Sequence, residues 1–248
     1  RTRFTVDLVD AQAGYSNFFG VQGNALMVFS DIIGNHQIQF GFELYRNLDN
    51  SDLVLGYDYL PRRANLHFML FNLPDDYVNI TPDYYLTLWH FRKYGSVFGM
   101  DYPFSKYSRL EASVNWLNIY QSVSYLSLIE DRDDEIFSTN ATYILPELQL
   151  SFDNVLYGSL YPVSGWRVDA GIRFSPDMPN SSRQFVSLRT DIRRYFNVSR
   201  EYSFALRASA ASSQGKNPET FLAGGISNWI NYELDGSYID YLSDYEDL

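Results

Sequence analysis

A transmembrane antiparallel β-barrel is the fold class this sequence predicts, and three observations predict it. Apolar and polar residues alternate with period two through one run after another, as in strands whose successive side chains leave opposite faces. Roughly eleven such runs can be read in the chain. Most reach about nine residues or more, the length a tilted strand needs to cross a bilayer core, where soluble strands average about five or six. The connections also alternate. Short turns at 31–35, 60–62, 103–106 and 196–200 are interleaved with longer polar stretches at 73–82, 120–137, 175–183 and from 212 onward. Tight turns at one end and long loops at the other are how outer-membrane barrels are connected.

Composition narrows the function classes. The 248 residues include 21 Tyr and 18 Phe, a density of amphipathic rings suited to the aromatic girdles of a membrane interface. A net charge of −11 with no basic stripe argues against nucleic acid as a partner. Cysteine is absent, which removes disulfides and thiolate metal sites. No apolar run approaches the roughly 18 residues of a membrane-crossing helix. The texture is uniform, so residues 1–248 read as one barrel domain, with 212–248 a long loop and both ends reading as cut.

The elements follow in order. Residues 3–14 form a first strand, with Phe4, Val6 and Leu8 alternating with Thr5, Asp7 and Val9, and 18–30 form a second, closed by a tight turn through Gly34. The third sets Ile38, Phe40, Phe42 and Leu44 against Gln37, Gln39, Gly41 and Glu43, and Asn47-Leu48-Asp49-Asn50 is turn chemistry. Leu53, Leu55, Tyr57 and Tyr59 make the next, ended by Pro61, which has no N–H to give a ladder. Strands at 63–72 and 84–102 flank a loop from Pro74 to Pro82. Leu110, Ala112, Val114 and Trp116 mark another, Glu130–Glu135 is a solvated tip, and a strand covers 138–152 before a turn region at 153–164. Trp166 to Phe174, Val186 to Ile192 and Tyr202 to Ala208 complete the set.

The last three runs carry arginines in mid-strand. Arg167, Arg173, Arg189, Arg193 and Arg207 share their polar sides with Asp169 and Asp191, and Glu111 lies on an earlier strand as a further partner. A soluble sandwich core rejects such charges, whereas a wet lumen accepts them. These residues are therefore expected to face the lumen. No catalytic cluster, cofactor motif or metal-ligand spacing emerges. His36, His67 and His90 lie on separate strands, and the acidic run 130–135 lacks the glycine and ligand spacing of a calcium loop.

Four stretches stand in a telling order: Tyr102-Pro103-Phe104-Ser105-Lys106-Tyr107-Ser108-Arg109-Leu110-Glu111; Phe152-Asp153-Asn154 with Tyr161-Pro162-Val163-Ser164-Gly165-Trp166-Arg167; the pair 184–210 with Tyr195 at its turn; and Phe221-Leu222-Ala223-Gly224-Gly225. Across 102–232 this order resembles the C-terminal barrel of the BamA-type superfamily of outer-membrane assembly and secretion proteins, the bacterial surface-antigen family. It also points to the subfamily whose barrel follows a periplasmic β-propeller. The resemblance implies a barrel of about sixteen strands. It further implies a lumen-directed loop opened by Gly224 and Gly225, with Trp229 and Asn231 near its tip. The family's Arg-Gly-aromatic tip is absent, for the matching region reads Ser227-Asn228-Trp229-Ile230-Asn231-Tyr232.

The expected role is therefore insertion, translocation or secretion of proteins at the bacterial outer membrane. The expected partners are outer-membrane lipid and either the proteins of an outer-membrane complex or a fused periplasmic domain, with no cofactor and no catalysis. Two alternatives stay open. One is a secreted or surface β-sandwich that binds glycans or proteins through Tyr and Trp. The other is a barrel that serves as a membrane anchor alone.

Overall fold

The computed structural model describes residues 3–17, 20–61, 63–80, 86–125, 134–158, 161–177, 183–199 and 202–221. Within them the chain is all β, with eleven strands and no helix: β1 (Phe4–Ser16), β2 (Gly20–Asp31), β3 (His36–Tyr59), β4 (Asn65–Ile80), β5 (Leu86–Pro103), β6 (Ser108–Tyr125), β7 (Asp134–Asp153), β8 (Leu156–Tyr157), β9 (Pro162–Ser175), β10 (Phe185–Asn197) and β11 (Ser203–Gly215). The sheet order is the chain order, β1-β2-β3-β4-β5-β6-β7-β9-β10-β11, with β8 as a short flap on β9. Apart from β8 and the two arms of β3, every strand runs at least 12 residues, beyond what a bilayer core requires.

The longest element, β3, doubles back on itself. Gln37–Arg46 pair with β2, Leu53–Tyr59 pair with β4, and the Leu60 N–H donates to the Asn35 carbonyl at 2.7 Å. The reversal expected at 47–50 thus falls inside this element. The turn before it is built as its residues foretell. Gly34 takes a left-handed φ of 76° and donates its N–H to the Asp31 carbonyl at 2.9 Å. The His36 N–H, 2.9 Å from Asp31 Oδ1, holds that carboxyl below the ordinary carboxylate range.

Several connections are shorter than the sequence suggests. The expected loop from Pro74 to Pro82 is strand as far as Ile80, and the expected stretch at 120–137 is strand through Tyr125 and again from Asp134. Turn-type residues are kept in the ladder by side chains on neighbouring strands. Asn50 Nδ2 donates to Asp76 Oδ2 at 2.6 Å, and the His90 ring meets the other carboxylate oxygen. Asn118 Nδ2 likewise reaches Thr142 Oγ1 at 2.8 Å. The 153–164 region contains β8, and β11 continues to Gly215, so the last loop starts after that residue.

The chain divides into two compact units. The first holds β1–β4, β5 up to Gly99, β6 from Val114 and β7 up to Ile144; the second holds 100–113, β7 from Leu145, and β8–β11. In the first unit Phe91, Ile119, Val123 and Tyr143 are buried, with Thr87, Asn118 and Gln121 buried beside them. In the second the buried set is mostly polar, with Arg173, Arg183, Asp191, Arg193 and Glu219 charged among it.

Candidate functional site: a charged face on β7, β9, β10 and β11

The site is written in the register of four strands. On one face the rows read Glu147-Arg173-Ser187-Ser213, then Gln149-Gly171-Arg189-Ala211, then Ser151-Asp169-Asp191-Ser209, then Asp153-Arg167-Arg193-Arg207. On the other they read Leu148-Ile172-Leu188-Ser212, Leu150-Ala170-Thr190-Ala210 and Phe152-Val168-Ile192-Ala208. Period two therefore sorts all seven charged residues expected at the lumen onto one side of the sheet.

Like charges stand directly opposite in two of these rows, an arrangement that is destabilising by itself. Pairs along a strand and diagonally across strands compensate. Arg193 Nε donates to Asp191 Oδ1 at 2.6 Å, and Arg207 Nε donates to Asp191 Oδ2 at 2.7 Å, so one carboxylate serves two guanidiniums. Arg167 lies between Asp153 and Asp169, at 3.6 and 3.7 Å. At the other end of the strands Arg173 grips Glu147 through Nε at 3.0 Å and Nη2 at 2.8 Å, and its Nη1 reaches Glu219 at 2.9 Å. Arg189 shares Glu147 and also donates to Gln149 Oε1 at 3.2 Å. Gly171 makes room for this reach: a Cβ there would lie 3.3 Å from Arg189 Nε.

Glu219 is part of the site although it follows the last strand. The Lys216 N–H donates to the Gln184 carbonyl at 2.8 Å, and the Glu219 N–H donates to Ser213 Oγ at 2.9 Å. Ser213 Oγ also accepts from Ser187 Oγ at 2.8 Å. Residues 216–219 are thus laid back onto the charged face. Among the expected partners, Glu111 pairs with Arg109 on its own strand instead of with the arginines of β9–β11. Gly224, Gly225, Trp229 and Asn231 lie outside the described residues. Glu147 and Glu219 were not anticipated. Glu147 does carry a signal, since it alternates with Leu148 in the run Glu147-Leu148-Gln149-Leu150-Ser151-Phe152-Asp153. Glu219 follows no periodic run.

At the turn end of these strands two of the sequence stretches meet. The Asp153 N–H donates to the Tyr107 carbonyl at 2.7 Å. Asn154 clamps Trp166 by donating its N–H to the Trp166 carbonyl at 3.0 Å and accepting the Trp166 N–H on Oδ1 at 2.7 Å. Gly165 is required there, because its φ is 122° and a Cβ would come within 2.6 Å of the Asn154 carbonyl oxygen.

Exposure is inverted relative to a soluble core. Leu188 is 55% and Leu206 61% exposed, whereas Arg193 is 1% and Asp191 6% exposed. Among the described residues no group of His, Asp and Glu is placed to hold a metal ion.

No family model matches the chain, and no curated protein matches it. Among solved structures it is similar to the crystal structure of BamA from Haemophilus ducreyi lacking POTRA domains 1–3, with a TM-score of 0.56 at 12% identity, over 86% of this chain. The match spans 41% of that BamA chain. The likeness is one of fold, an antiparallel membrane-barrel sheet like that of the BamA barrel.

Proposed function

We propose that this chain is the barrel portion of a BamA-type outer-membrane protein of a diderm bacterium, acting in the insertion, translocation or secretion of proteins. The carrying observation is the inverted exposure of the second unit. Exposed aliphatic rows beside buried, ion-paired arginines suit lipid on one face and a polar lumen on the other. A soluble sandwich would bury Leu188 and expose Asp191, the reverse of what is found. On this reading Arg167, Asp169, Arg173, Arg189, Asp191, Arg193 and Arg207 line the lumen. Residues 1–248 form one barrel domain, with a loop after Gly215 that turns inward. The bond from Arg173 to Glu219 supports that course, and Gly224, Gly225, Trp229 and Asn231 belong further along the same loop. The mechanism is physical: lipid holds the outside, water fills the inside, and the inward loop governs passage.

A second reading, in which the barrel anchors a periplasmic domain and moves no client, is favoured by one observation. Residues 227–232 contain no arginine where the family's loop tip has one.

Fractionation of the full-length protein, followed by electrophoresis with and without boiling, tests the main reading. Recovery in the outer membrane with a shift on boiling is the expected result. Recovery in the aqueous fraction without detergent sinks it. Measuring client insertion in cells depleted of the protein then separates transport from anchoring.

A further inference from the structure

On the apolar face of the second unit one charged residue breaks the pattern. The row after Phe152-Val168-Ile192-Ala208 reads Trp166-Arg194-Leu206. The Arg194 guanidinium lies 4.7 Å from the centroid of the Trp166 ring and 5.2 Å from that of Phe196. Both distances are in the cation–π range. Among the described residues, those two rings are its partners, with no carboxylate or carbonyl on its N–H groups. The other strand arginines of this unit all sit on the opposite face, each with a carboxylate. A guanidinium held by ring contacts keeps N–H donors for a planar, bidentate acceptor, and phosphate is such an acceptor.

The surroundings say which phosphate. Arg194 stands at the turn end of its strand, where Phe104, Tyr107, Tyr157, Tyr161, Tyr202 and Phe204 are all exposed, a cluster with the make-up of an interfacial girdle. Trp166 is fixed in place by the Asn154 clamp. Two rows further along the same face, the small residues Ala170, Thr190 and Ala210 leave an apolar groove of about 420 Å³ between Leu148, Ile172 and Leu188. Four residues of strand place that groove about 13 Å along the sheet from the Arg194 backbone, within the reach of an acyl chain whose headgroup is at Arg194. Free phosphate has no use for the groove.

We propose that Arg194, Trp166 and Phe196 form a binding site for the phosphate of an anionic glycerophospholipid, with an acyl chain lying along the Ala170-Thr190-Ala210 row. This rests on the reading that the apolar face meets lipid. The probe is the full-length protein in nanodiscs of equal phosphatidylglycerol and phosphatidylcholine, with lipids retained after release counted by native mass spectrometry. Wild type should retain phosphatidylglycerol preferentially. Arg194→Gln should lower that preference about fivefold, the effect of one arginine near an anionic surface, and Arg194→Lys should keep part of it. Ala210→Leu, which fills the groove with Arg194 intact, should also lower retention. Equal retention of both lipids by wild type, or an unchanged preference in Arg194→Gln, overturns the site. No effect of Ala210→Leu overturns its assignment to a lipid. Co-elution with the nanodisc reports insertion separately, so failure to enter the bilayer overturns the barrel reading and the site together, whereas insertion without preference overturns the site alone.

Discussion

The two units use the same backbone to different ends. In the second, β7, β9, β10 and β11 carry full charges on one side and, Arg194 apart, uncharged and mainly apolar groups on the other, so the faces differ as sharply as salt differs from hydrocarbon. In the first, the polar side mixes amides such as Gln37 and Gln39 with carboxylates, two of which are met by histidines, Asp58 by His67 and Asp76 by His90. Gln39 Nε2 donates to Asp58 Oδ2 at 3.1 Å, and the His67 ring lies 2.7 Å from Asp58 Oδ1. Met69 and Phe71 stand on that same side, since Met69 is opposite Gly56, Phe71 is opposite Val54, and His67 is opposite Asp58. Both sides of the first unit therefore carry large apolar residues. Permanent charge, more than alternation alone, makes a strand's two faces unmistakable.

Substitutions can break this contrast, and the largest effect belongs to the ionic unit. Arg173→Ala leaves Glu219 buried without its guanidinium and should cost about 3–5 kcal/mol, read as a lowered midpoint of the heat-induced mobility shift. Leu188→Arg should cost about 2–4 kcal/mol if its face lies in mid-membrane. Leu55→Arg, on the exposed Leu53-Leu55-Tyr57 side of the first unit, should then cost a similar amount. A tolerated Leu188→Arg in folding assays would remove lipid from the second unit, and a tolerated Leu55→Arg would confine lipid contact to it. Gly165→Ala forces a side chain into left-handed backbone against Asn154 and should cost about 1–3 kcal/mol, visible as a lower denaturation midpoint. The smallest effect is expected from Asp58→Asn, which weakens neutral and partly charged hydrogen bonds for about 1 kcal/mol. If it rivals Arg173→Ala in the same denaturation series, the contrast between the units is wrong.

How much was legible follows from the same contrast. The strands β9, β10 and β11 and the shared face of their seven charged residues could be read directly, because alternation and charge agreed at every position but Arg194. The turn at Gly34 was equally plain, for its residues tolerate the conformation the turn demands. The continuation of β4 past Pro74 was hidden because Asp75 and Asp76 are turn residues by habit, and the partners that hold Asp76, Asn50 and His90, come from other strands. The partner of Glu111 was misassigned for a related reason: residues two apart on a strand share a face, and Glu111, which pairs with Arg109, was read as serving distant arginines. Glu219 was illegible. Its place depends on Lys216 and Ser213 turning the chain, which no period announces.

The bond between Arg173 and Glu219 has a consequence for the order of assembly. Apart from the β8 flap, each strand pairs with its predecessor in the chain, so the sheet can grow one hairpin at a time from contacts of modest sequence separation. Arg173 on β9 instead waits for a residue 46 positions later, which arrives after both β10 and β11 have been added. Until then Glu147 holds that guanidinium. The pair is thus a late fastening that grips finished work, and it belongs among the interactions that slow unfolding without hastening folding.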